Sequence, residues 1–545
     1  MISRRRTGII AVALVAAIAA LAVVSLGFIR AAGSVPSFSE QACALPSSWL
    51  ERTKRGYSPE RSGQIAILPD QPAYLASGAG GWSHSGPWPY LQRVPVVFYG
   101  PGMIEAVGSV DRPITVADIA PTLARLMGGE LTADGRPLDE VAPSGRAVLP
   151  RYRPKVIVTV VFDGGGWNAL DQWPDDWPVL KRMMEDGTTY TNATVGSSPS
   201  VTPAIHTTLG TGSYPSRHGI TGIPVRDEQG TVVDAFLKGE SSRFMEVPAL
   251  AERWDEVNDN RALVGMVGYE PWHLGMIGQG AERSGGDKDD AAWLDIETNE
   301  WITNEDHYTL PQALVETPGL QADIDRLDAA DGRKDGGWKE LKILEDPART
   351  EETPAFIRYH TRAMLNVMRQ EGYGDDAITD LMFTNYKQID RLGHYFNMAS
   401  WEVHDSVVAT DQQLGVIEES LDRDVGRGKW VIVMTADHGQ QPDAEAIDGY
   451  GIDPPEILED INDRFGPITR AVWPTEVFLF EDVMERQGVT VREVADFLAD
   501  YRLTDNTIRP DLRVAGAGEF DPQDRLFDMA IPSKVLPGID CSASR

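Results

Sequence analysis

Cysteine is nearly absent from the sequence: only Cys43 and Cys541 occur, close to opposite ends of the 545 residues. Because neither belongs to a cluster with metal-ligand spacing, we do not expect a cysteine-ligated metal site. In an oxidising compartment the two would pair as a disulfide, whereas in a reducing one they would be two unrelated free thiols.

Basic residues are also scarce, with 50 Lys and Arg against 82 Asp and Glu and a formal net charge of −32. Binding to a long nucleic-acid polymer depends on Lys and Arg contacts to phosphates, so such a polymer is not an expected partner. The acidic excess is typical of a soluble, self-repelling surface, and it carries no information about the fold. The sequence gives no signal of oligomeric state.

Long apolar runs are limited to one, at residues 8–29, directly after the arginines at 4–6. At the rise of an α-helix this run spans the hydrocarbon core of a bilayer. It predicts a single transmembrane helix within residues 1–34, with the N-terminus cytoplasmic and the remainder extracytoplasmic at the cell membrane. The small residues at 31–33 allow the alternative of a cleaved signal peptide and secretion.

Short apolar runs recur along the rest of the chain and alternate with helical patterns, which predicts an α/β fold with a mainly parallel sheet. We expect a helix at residues 116–127. The strands are expected at residues 94–99, 155–162, 261–267, 380–385 and 429–435.

Four segments lack strong apolar periodicity. Residues 34–62 look like a stalk, and residues 132–154 look like a polar, proline-containing linker. Residues 284–352 are rich in Gly, Asp, Glu and Lys, which favours a cap or insertion beside the functional site that the next motifs indicate. Residues 454–465 are a candidate for a second, smaller insertion.

Metal-ligand residue types follow three of the predicted strands: Asp163, then Asp390 with His394, then Asp437 with His438. Ligands of open α/β sheets bind where parallel strands end, and carboxylate and imidazole are the usual ligands of zinc and related ions. The i, i+4 spacing of Asp390 and His394 puts both side chains on one helix face. The alternatives are a solvated helix face for that pair and a simple turn after the last strand.

A further motif is SVTPAIH at residues 200–206. Pro203 suits the first position of a helix, which predicts Thr202 as the N-cap. A helix N-terminus is a natural phosphate site, where amides such as that of Ala204 are free to donate. The Thr202 hydroxyl would be a nucleophile if a metal ion lowered its pKa, and otherwise it would only cap the helix.

Together these stretches resemble the alkaline phosphatase superfamily, most closely its nucleotide pyrophosphatase/phosphodiesterase branch and related bacterial phosphatases. The matching stretches are VVFDGGG at 160–166, SPSVTPAIHTTLGTGSYPSRHGI at 198–220, NYKQIDRLGH at 385–394 and TADHG at 435–439. The resemblance implies a single catalytic domain over residues 35–545, built as a three-layer α/β/α sandwich. It also implies a small-molecule phosphate ester as substrate.

The same resemblance assigns roles to the motif residues. Thr202 would be the nucleophile and would bind one of two divalent ions. The other ligands of that ion would be Asp163, Asp437 and His438. The second ion would be bound by Asp390, His394 and one more histidine. Zinc is the first expectation, and manganese, iron or calcium are the alternatives.

The last of these histidines lies near the C-terminal end of the family's sequences, but here no histidine follows His438. The stretches WSHSGPWPYLQRVPVVFYGPGM at 82–103 and VADIAPTLARLMG at 116–128 look like that C-terminal end, so His84 matches the missing ligand. This implies a circular permutation. Residues 35–131 would be the displaced segment, followed by the linker 132–154 and the main body 155–545. A Cys43–Cys541 bond would then rejoin the ends that the permutation cut.

Two departures bear on the substrate. Ile223 stands where relatives carry an asparagine that contacts phosphate, and residues 271–280 lack the Lys-x-Arg pair of monoesterase relatives. The missing pair favours a phosphodiesterase or nucleotide pyrophosphatase over a phosphomonoesterase, phosphonate hydrolase or sulfatase-like enzyme of the same fold. His273 is a candidate substrate contact or an ordinary core histidine. A catalytically inactive, membrane-tethered binding protein is the alternative from another class.

Overall fold

The computed structural model describes residues 35–70, 74–75, 82–144, 152–237, 240–442, 451–506 and 521–542. Its α-helices are Phe38–Ala44, Ser47–Gly56, Pro89–Gln92, Ile119–Leu126, Trp167–Leu170, Pro178–Asp186, Thr202–Thr211, Pro215–His218, Leu250–Val257, Gln312–Val315, Leu320–Asp328, Pro347–Thr350, Pro354–Glu371, Gln388–Phe396, Trp401–Leu421, Pro454–Phe465, Glu481–Gln487 and Val491–Ala499.

A nine-stranded sheet forms the centre of the molecule. In spatial order its strands are Glu300–Ile302, Asp290–Asp295, Val264–Val267, Asp380–Tyr386, Val156–Phe162, Trp430–Thr435, Val96–Tyr99, Thr188–Tyr190 and Gly108–Val110. The five strands from Asp290–Asp295 to Trp430–Thr435 are parallel to one another. The predicted α/β class with a mainly parallel sheet is therefore confirmed. We refer to Asp380–Tyr386, Val156–Phe162 and Trp430–Thr435 as the three central strands.

Helices cover both faces of this sheet. Along Val156–Phe162 every side chain is buried, and alternate residues enter opposite hydrophobic clusters. Helices Ile119–Leu126 and Thr202–Thr211 contribute to one cluster, and helices Pro354–Glu371 and Trp401–Leu421 to the other. A strand with two buried faces is expected to be almost entirely apolar, which explains its VIVTVVF sequence, where threonine is the single polar residue.

A second sheet has four antiparallel strands, in the order Thr469–Trp473, Glu476–Leu479, Ile65–Pro69 and Phe527–Pro532. Short two-stranded pairings complete the structure: Tyr74–Leu75 with Trp82–Ser83, Ile114–Thr115 with Ala193–Thr194, and Pro224–Arg226 with Val232–Asp234.

The N-terminal part of the described chain is built into both sheets. Strand Val96–Tyr99 runs antiparallel to Trp430–Thr435 in the central sheet, and Ile65–Pro69 lies inside the four-stranded sheet. Cys43 and Cys541 form a disulfide with a Cα–Cα distance of 5.4 Å, so the predicted pairing is confirmed. Such a bond is typical of proteins that fold in an oxidising compartment.

The expectation of a stalk at residues 34–62 is wrong for the described part of that range. Residues 38–44 and 47–56 are helices, and Phe38, Ala42 and Leu50 join a buried cluster. The apolar residues are few but fall at helical spacing, which is enough to dock two short helices.

Part of the segment 284–352, expected as a cap or insertion, belongs to the central sheet. Asp290–Asp295 pairs in parallel with Val264–Val267, and Trp293 is buried. The apolar run is only four residues long and lies among charged residues, so its strand signal is weak. In the expected linker 132–154, Leu138 is buried, and residues 145–151 lie outside the described residues.

The predicted transmembrane helix within residues 1–34 also lies outside the described residues. Within the described ranges, no helix is both long and apolar enough to cross a membrane. The membrane anchor therefore stays a prediction.

Candidate active site

The three central strands deliver five of the predicted residues to one edge of the sheet. Asp163 follows the middle strand directly, and Asp437 and His438 follow one of its neighbours. Asp390 and His394 lie on helix Gln388–Phe396, which follows the other neighbour. Because the three strands are parallel and in register, their carboxyl ends meet at this edge.

One group of converging donor atoms comprises His84, Asp390 and His394, which we call the His84 group. The Nε2 atoms of His84 and His394 lie 3.4 Å and 3.3 Å from Asp390 Oδ1. His84 Nδ1 lies 2.9 Å from the carbonyl oxygen of Ser200, a contact that directs Nε2 toward Asp390. The structure thus brings His84 together with residues more than 300 positions away in sequence.

A second group comprises Asp163, Thr202, Asp437 and His438, which we call the Thr202 group. His438 Nε2 lies 3.5 Å from Asp163 Oδ1 and 3.4 Å from Asp437 Oδ2. It also lies 3.9 Å from Asp390 Oδ1, so the two groups are neighbours. The imidazole rings of His84 and His438 stack with centroids 3.5 Å apart.

Thr202 is the first residue of helix Thr202–Thr211, and Val201 is the N-cap. The expectation that Thr202 caps the helix is wrong by one residue. Pro203 occupies the second helical position instead of the first, which proline tolerates because a backbone N–H at either position would have no intrahelical acceptor. The hydroxyl is still at the N-terminal end, where the helix dipole is positive. The amide of Ala204 lies in the same first turn. Thr202 is buried.

Lys387, which the sequence reading missed, lies between the two groups. Its Nζ donates to Thr202 Oγ1 at 2.8 Å and pairs with Asp163 Oδ1 at 3.0 Å and Asp390 Oδ2 at 2.8 Å. Burial acts to lower the pKa of Lys387, but the carboxylates of Asp163 and Asp390 outweigh it and raise the pKa. A signal was present: a lysine directly after a buried strand, three residues before Asp390.

Carboxylates crowd this edge, and the pKa values reflect it. Burial, with the nearby charge of Asp163, raises the pKa of Asp437 to about 7. For His438 burial acts to lower the pKa, but Asp437 and Asp163 outweigh it and raise the pKa to about 9. The carboxylates at this edge therefore stabilise positive charge on their neighbours.

Several donor atoms in the two groups have no hydrogen-bond partner within the part of the chain that the structure describes. They are Asp390 Oδ1, Asp437 Oδ2 and His438 Nε2, all inaccessible to solvent. A buried polar atom without a partner is costly, and three at one place call for a common explanation. The donor atoms of His84, Asp390 and His394 lie within 4.8 Å of one another, as do those of Asp163, Asp390 and His438. Carboxylate and imidazole donors at such distances fit divalent ions of the zinc type.

His273 and His206 form a neutral pair behind Asp163. Their Nδ1 atoms lie 2.7 Å apart, and both residues are fully buried. Burial lowers the pKa of His206 to about 3 and the pKa of His273 well below its usual range. Asn385, also missed from sequence, donates to Asp163 Oδ2 at 2.8 Å and thereby fixes that carboxylate. A substrate contact by His273 stays a prediction.

The chain is similar to several known proteins. A protein of Myroides odoratus named calcium-transporting ATPase is 23% identical over 410 residues, covering 63% of this chain and 72% of that protein. Alkaline phosphatase PafA of Elizabethkingia meningoseptica is 23% identical over 409 residues, covering 64% and 72%. A crystal structure of wild-type PafA matches 67% of this chain and 78% of its own with a TM-score of 0.55 at 22% identity, which shows the shared fold.

The family model for type I phosphodiesterase / nucleotide pyrophosphatase matches residues 157–473, which is more than half of the chain. Among the predicted metal-binding, catalytic and substrate-binding residues, His84 lies outside this match. The chain therefore belongs to the type I phosphodiesterase/nucleotide pyrophosphatase family of phosphoric ester hydrolases.

Proposed function

We propose that this protein hydrolyses phosphate esters with Thr202 as the nucleophile and with one divalent ion in the His84 group and one in the Thr202 group. The observation that carries the proposal is the set of buried donor atoms on Asp390, Asp437 and His438 that have no hydrogen-bond partner among the described residues. Lys387 connects this set to the Thr202 hydroxyl, since its Nζ is bonded to both Asp390 Oδ2 and Thr202 Oγ1. Bound ions would act as Lewis acids that lower the pKa of this hydroxyl and stabilise charge on the leaving oxygen. Zinc is the first candidate, with manganese, iron and calcium as alternatives.

The reaction would proceed in two displacements at phosphorus. Thr202 Oγ1 attacks, so that a bond forms between Oγ1 and phosphorus while the bond to the leaving alcohol breaks. Water then cleaves the phosphothreonine, releasing phosphate and restoring the hydroxyl. The amide of Ala204, in the first turn of the helix, is suited to donate to a non-bridging oxygen.

Phosphate monoesters are the substrate class that we place first. The Lys387 ammonium, 2.8 Å from Thr202 Oγ1, adds positive charge where the phosphate would bind, and a monoester carries one more negative charge than a diester. Lys387 thus offers the charge that the absent Lys-x-Arg pair would have supplied. The name of PafA, an alkaline phosphatase, points the same way. Diesters are the second candidate, supported by the description of the matching family model.

The test is a substrate panel on the metal-loaded protein: nitrophenyl phosphate, bis-nitrophenyl phosphate, a nitrophenyl phosphonate and nitrophenyl sulfate. Wild type should cleave the monoester fastest and Thr202→Ala should abolish turnover, while Thr298→Ala, on an exposed turn, should behave as wild type. Acid quenching with labelled substrate should trap phosphate on Thr202. Turnover by Thr202→Ala would refute the nucleophile. Metal binding without any turnover would favour a binding protein.

We also propose that residues 35–131 are a permuted segment of the family's fold. The family match begins at residue 157, whereas His84 and strand Val96–Tyr99 pack with residues beyond 380, which supports the proposal. A rearranged chain with residues 35–131 joined after residue 542 should fold and keep activity. An unfolded product from that chain, beside an active one from the original order, would contradict the permutation.

A membrane tether within residues 1–34, or secretion after cleavage there, is proposed from the apolar run alone. Fractionation of expressing cells, with and without a carbonate wash, would separate the two.

A further inference from the structure

Lys387 contacts donor atoms of both groups. Its ammonium is bonded to Thr202 Oγ1 at 2.8 Å, to Asp163 Oδ1 at 3.0 Å and to Asp390 Oδ2 at 2.8 Å. Its side chain is only 3% exposed, so water does not weaken these pairings. A buried cation is thus already present between the nucleophile and the carboxylates.

The ammonium does not affect the two groups equally. The two oxygens of Asp390 have different partners. Oδ2 pairs with Lys387, while Oδ1 lies 3.4 Å from His84 Nε2 and 3.3 Å from His394 Nε2. The bond of Lys387 to the His84 group is thus to Asp390 Oδ2, and not to the oxygen that the two histidines approach. In the Thr202 group, by contrast, Lys387 is bonded to Asp163 Oδ1 and Thr202 Oγ1.

The remaining donors of the Thr202 group are Asp437 Oδ2 and His438 Nε2, both buried and, within the described ranges of the chain, without a hydrogen-bond partner. An ion entering this group meets two free donors and two that an ammonium already holds. It must share those two with a like charge or displace that charge, and both cost binding free energy in a buried site.

We propose that Lys387 is a built-in competitor for the metal ion of the Thr202 group, so that the two metal sites differ in affinity and the His84 group fills first. The inference rests on the proposed two-ion function. Its consequence is that limiting metal gives a one-ion protein, and that turnover follows occupancy of the Thr202 group.

The experiment titrates the metal-free protein with zinc in the presence of a competing chelator and reads both dissociation constants and the bound stoichiometry. Lys387→Met removes the charge while keeping a similar length, and Lys387→Arg keeps the charge. Lys181→Met removes a half-exposed lysine elsewhere and serves as the matched control.

Wild type should bind two ions with dissociation constants at least tenfold apart. In Lys387→Met the weaker ion should tighten at least tenfold while the tighter changes less than threefold. Lys387→Arg and Lys181→Met should keep the wild-type difference. A second readout is thermal unfolding. The melting temperature of metal-free Lys387→Met should be lower than that of metal-free wild type, because the carboxylates lose their counter-ion. Addition of zinc should raise the melting temperature of Lys387→Met by more than that of wild type.

Equal affinities in wild type, or a weaker ion that loosens or stays unchanged in Lys387→Met, would overturn the inference and leave the two-ion function standing. Failure of wild type to bind any divalent ion would overturn the proposed function itself. If near-ultraviolet circular dichroism shows that Lys387→Met does not fold, Lys387→Gln, which retains hydrogen-bonding capacity without the charge, is titrated with the same criteria.

Discussion

Replacement of both disulfide cysteines, Cys43→Ser with Cys541→Ser, should lower stability mainly through the unfolded chain. Without the disulfide, strand pairing and hydrogen bonds still hold the N-terminal segment in the native fold. Strand Ile65–Pro69 remains paired on both sides, and the amide of Ala530 donates to the Gln41 side chain at 2.9 Å. Lys54 Nζ donates to the carbonyl oxygen of Ile539 at 2.6 Å. We therefore expect the native fold to persist in the double variant.

The magnitude follows from the length of chain that the bond closes. Cys43 and Cys541 are 498 residues apart, and for such a loop the chain-entropy relation gives a loss of about 6 kcal/mol at 25 °C. Measured effects of native disulfides commonly reach about 2–5 kcal/mol, so we expect a decrease in the free energy of unfolding between about 2 and 6 kcal/mol.

The assay is urea unfolding of the double variant and wild type, followed by far-ultraviolet circular dichroism and tryptophan fluorescence. Wild type treated with a phosphine reductant should match the double variant. A decrease below about 1 kcal/mol would refute the entropic reasoning. A separate early transition in the variant would show that the bond instead holds the N-terminal segment to the native fold.

Three further changes have defined outcomes. His84→Ala should reduce bound metal from two ions to one by elemental analysis and lower turnover by about 100-fold or more, and unchanged values for both would reject His84 as a ligand. Burial raises the pKa of Glu476 from 4.5 to about 7. The stability that the protonated form of Glu476 provides is present below pH 4.5 and is lost as the pH rises to about 7. In urea unfolding, the free energy of unfolding of Glu476→Gln should therefore exceed that of wild type by up to about 3 kcal/mol at pH 8, with no such difference at pH 4. Gly164 has φ +70°, and a Cβ there would lie 2.0 Å from Gln440 Nε2. The free energy of unfolding of Gly164→Ala should therefore be about 1–2 kcal/mol lower than that of wild type, and a variant as stable as wild type would contradict this.

Strands of the central sheet were predictable because their environment leaves a local trace. Val156–Phe162 and Trp430–Thr435 are buried on both faces, so nearly every residue in them is apolar. The metal-ligand candidates were predictable for a related reason, since a residue directly after such a strand is delivered to the edge where parallel strands end.

Lys387 and Asn385 were not predictable in the same way. Their roles depend on which atoms of Asp163 and Asp390 lie opposite them, and that follows from the register between neighbouring strands. No pattern in a single segment encodes that register. Strand Asp290–Asp295 was missed because charged residues surround its short apolar run, and only pairing with Val264–Val267 stabilises it as a strand.

The direction of one strand explains how His84 reaches a site made by residues far along the chain. In the central sheet Val96 lies opposite Thr435, and Tyr99 lies opposite Ile432. Val96–Tyr99 runs antiparallel to Trp430–Thr435, so it begins at the edge of the sheet where Trp430–Thr435 ends. The loop before Val96 is therefore placed beside Asp437 and His438. A parallel strand in that position would instead deliver the loop that follows it. The position of His84 is thus set by strand direction and not by its order in the sequence. A permutation that cuts the connections and leaves the strand intact would preserve the proposed metal site.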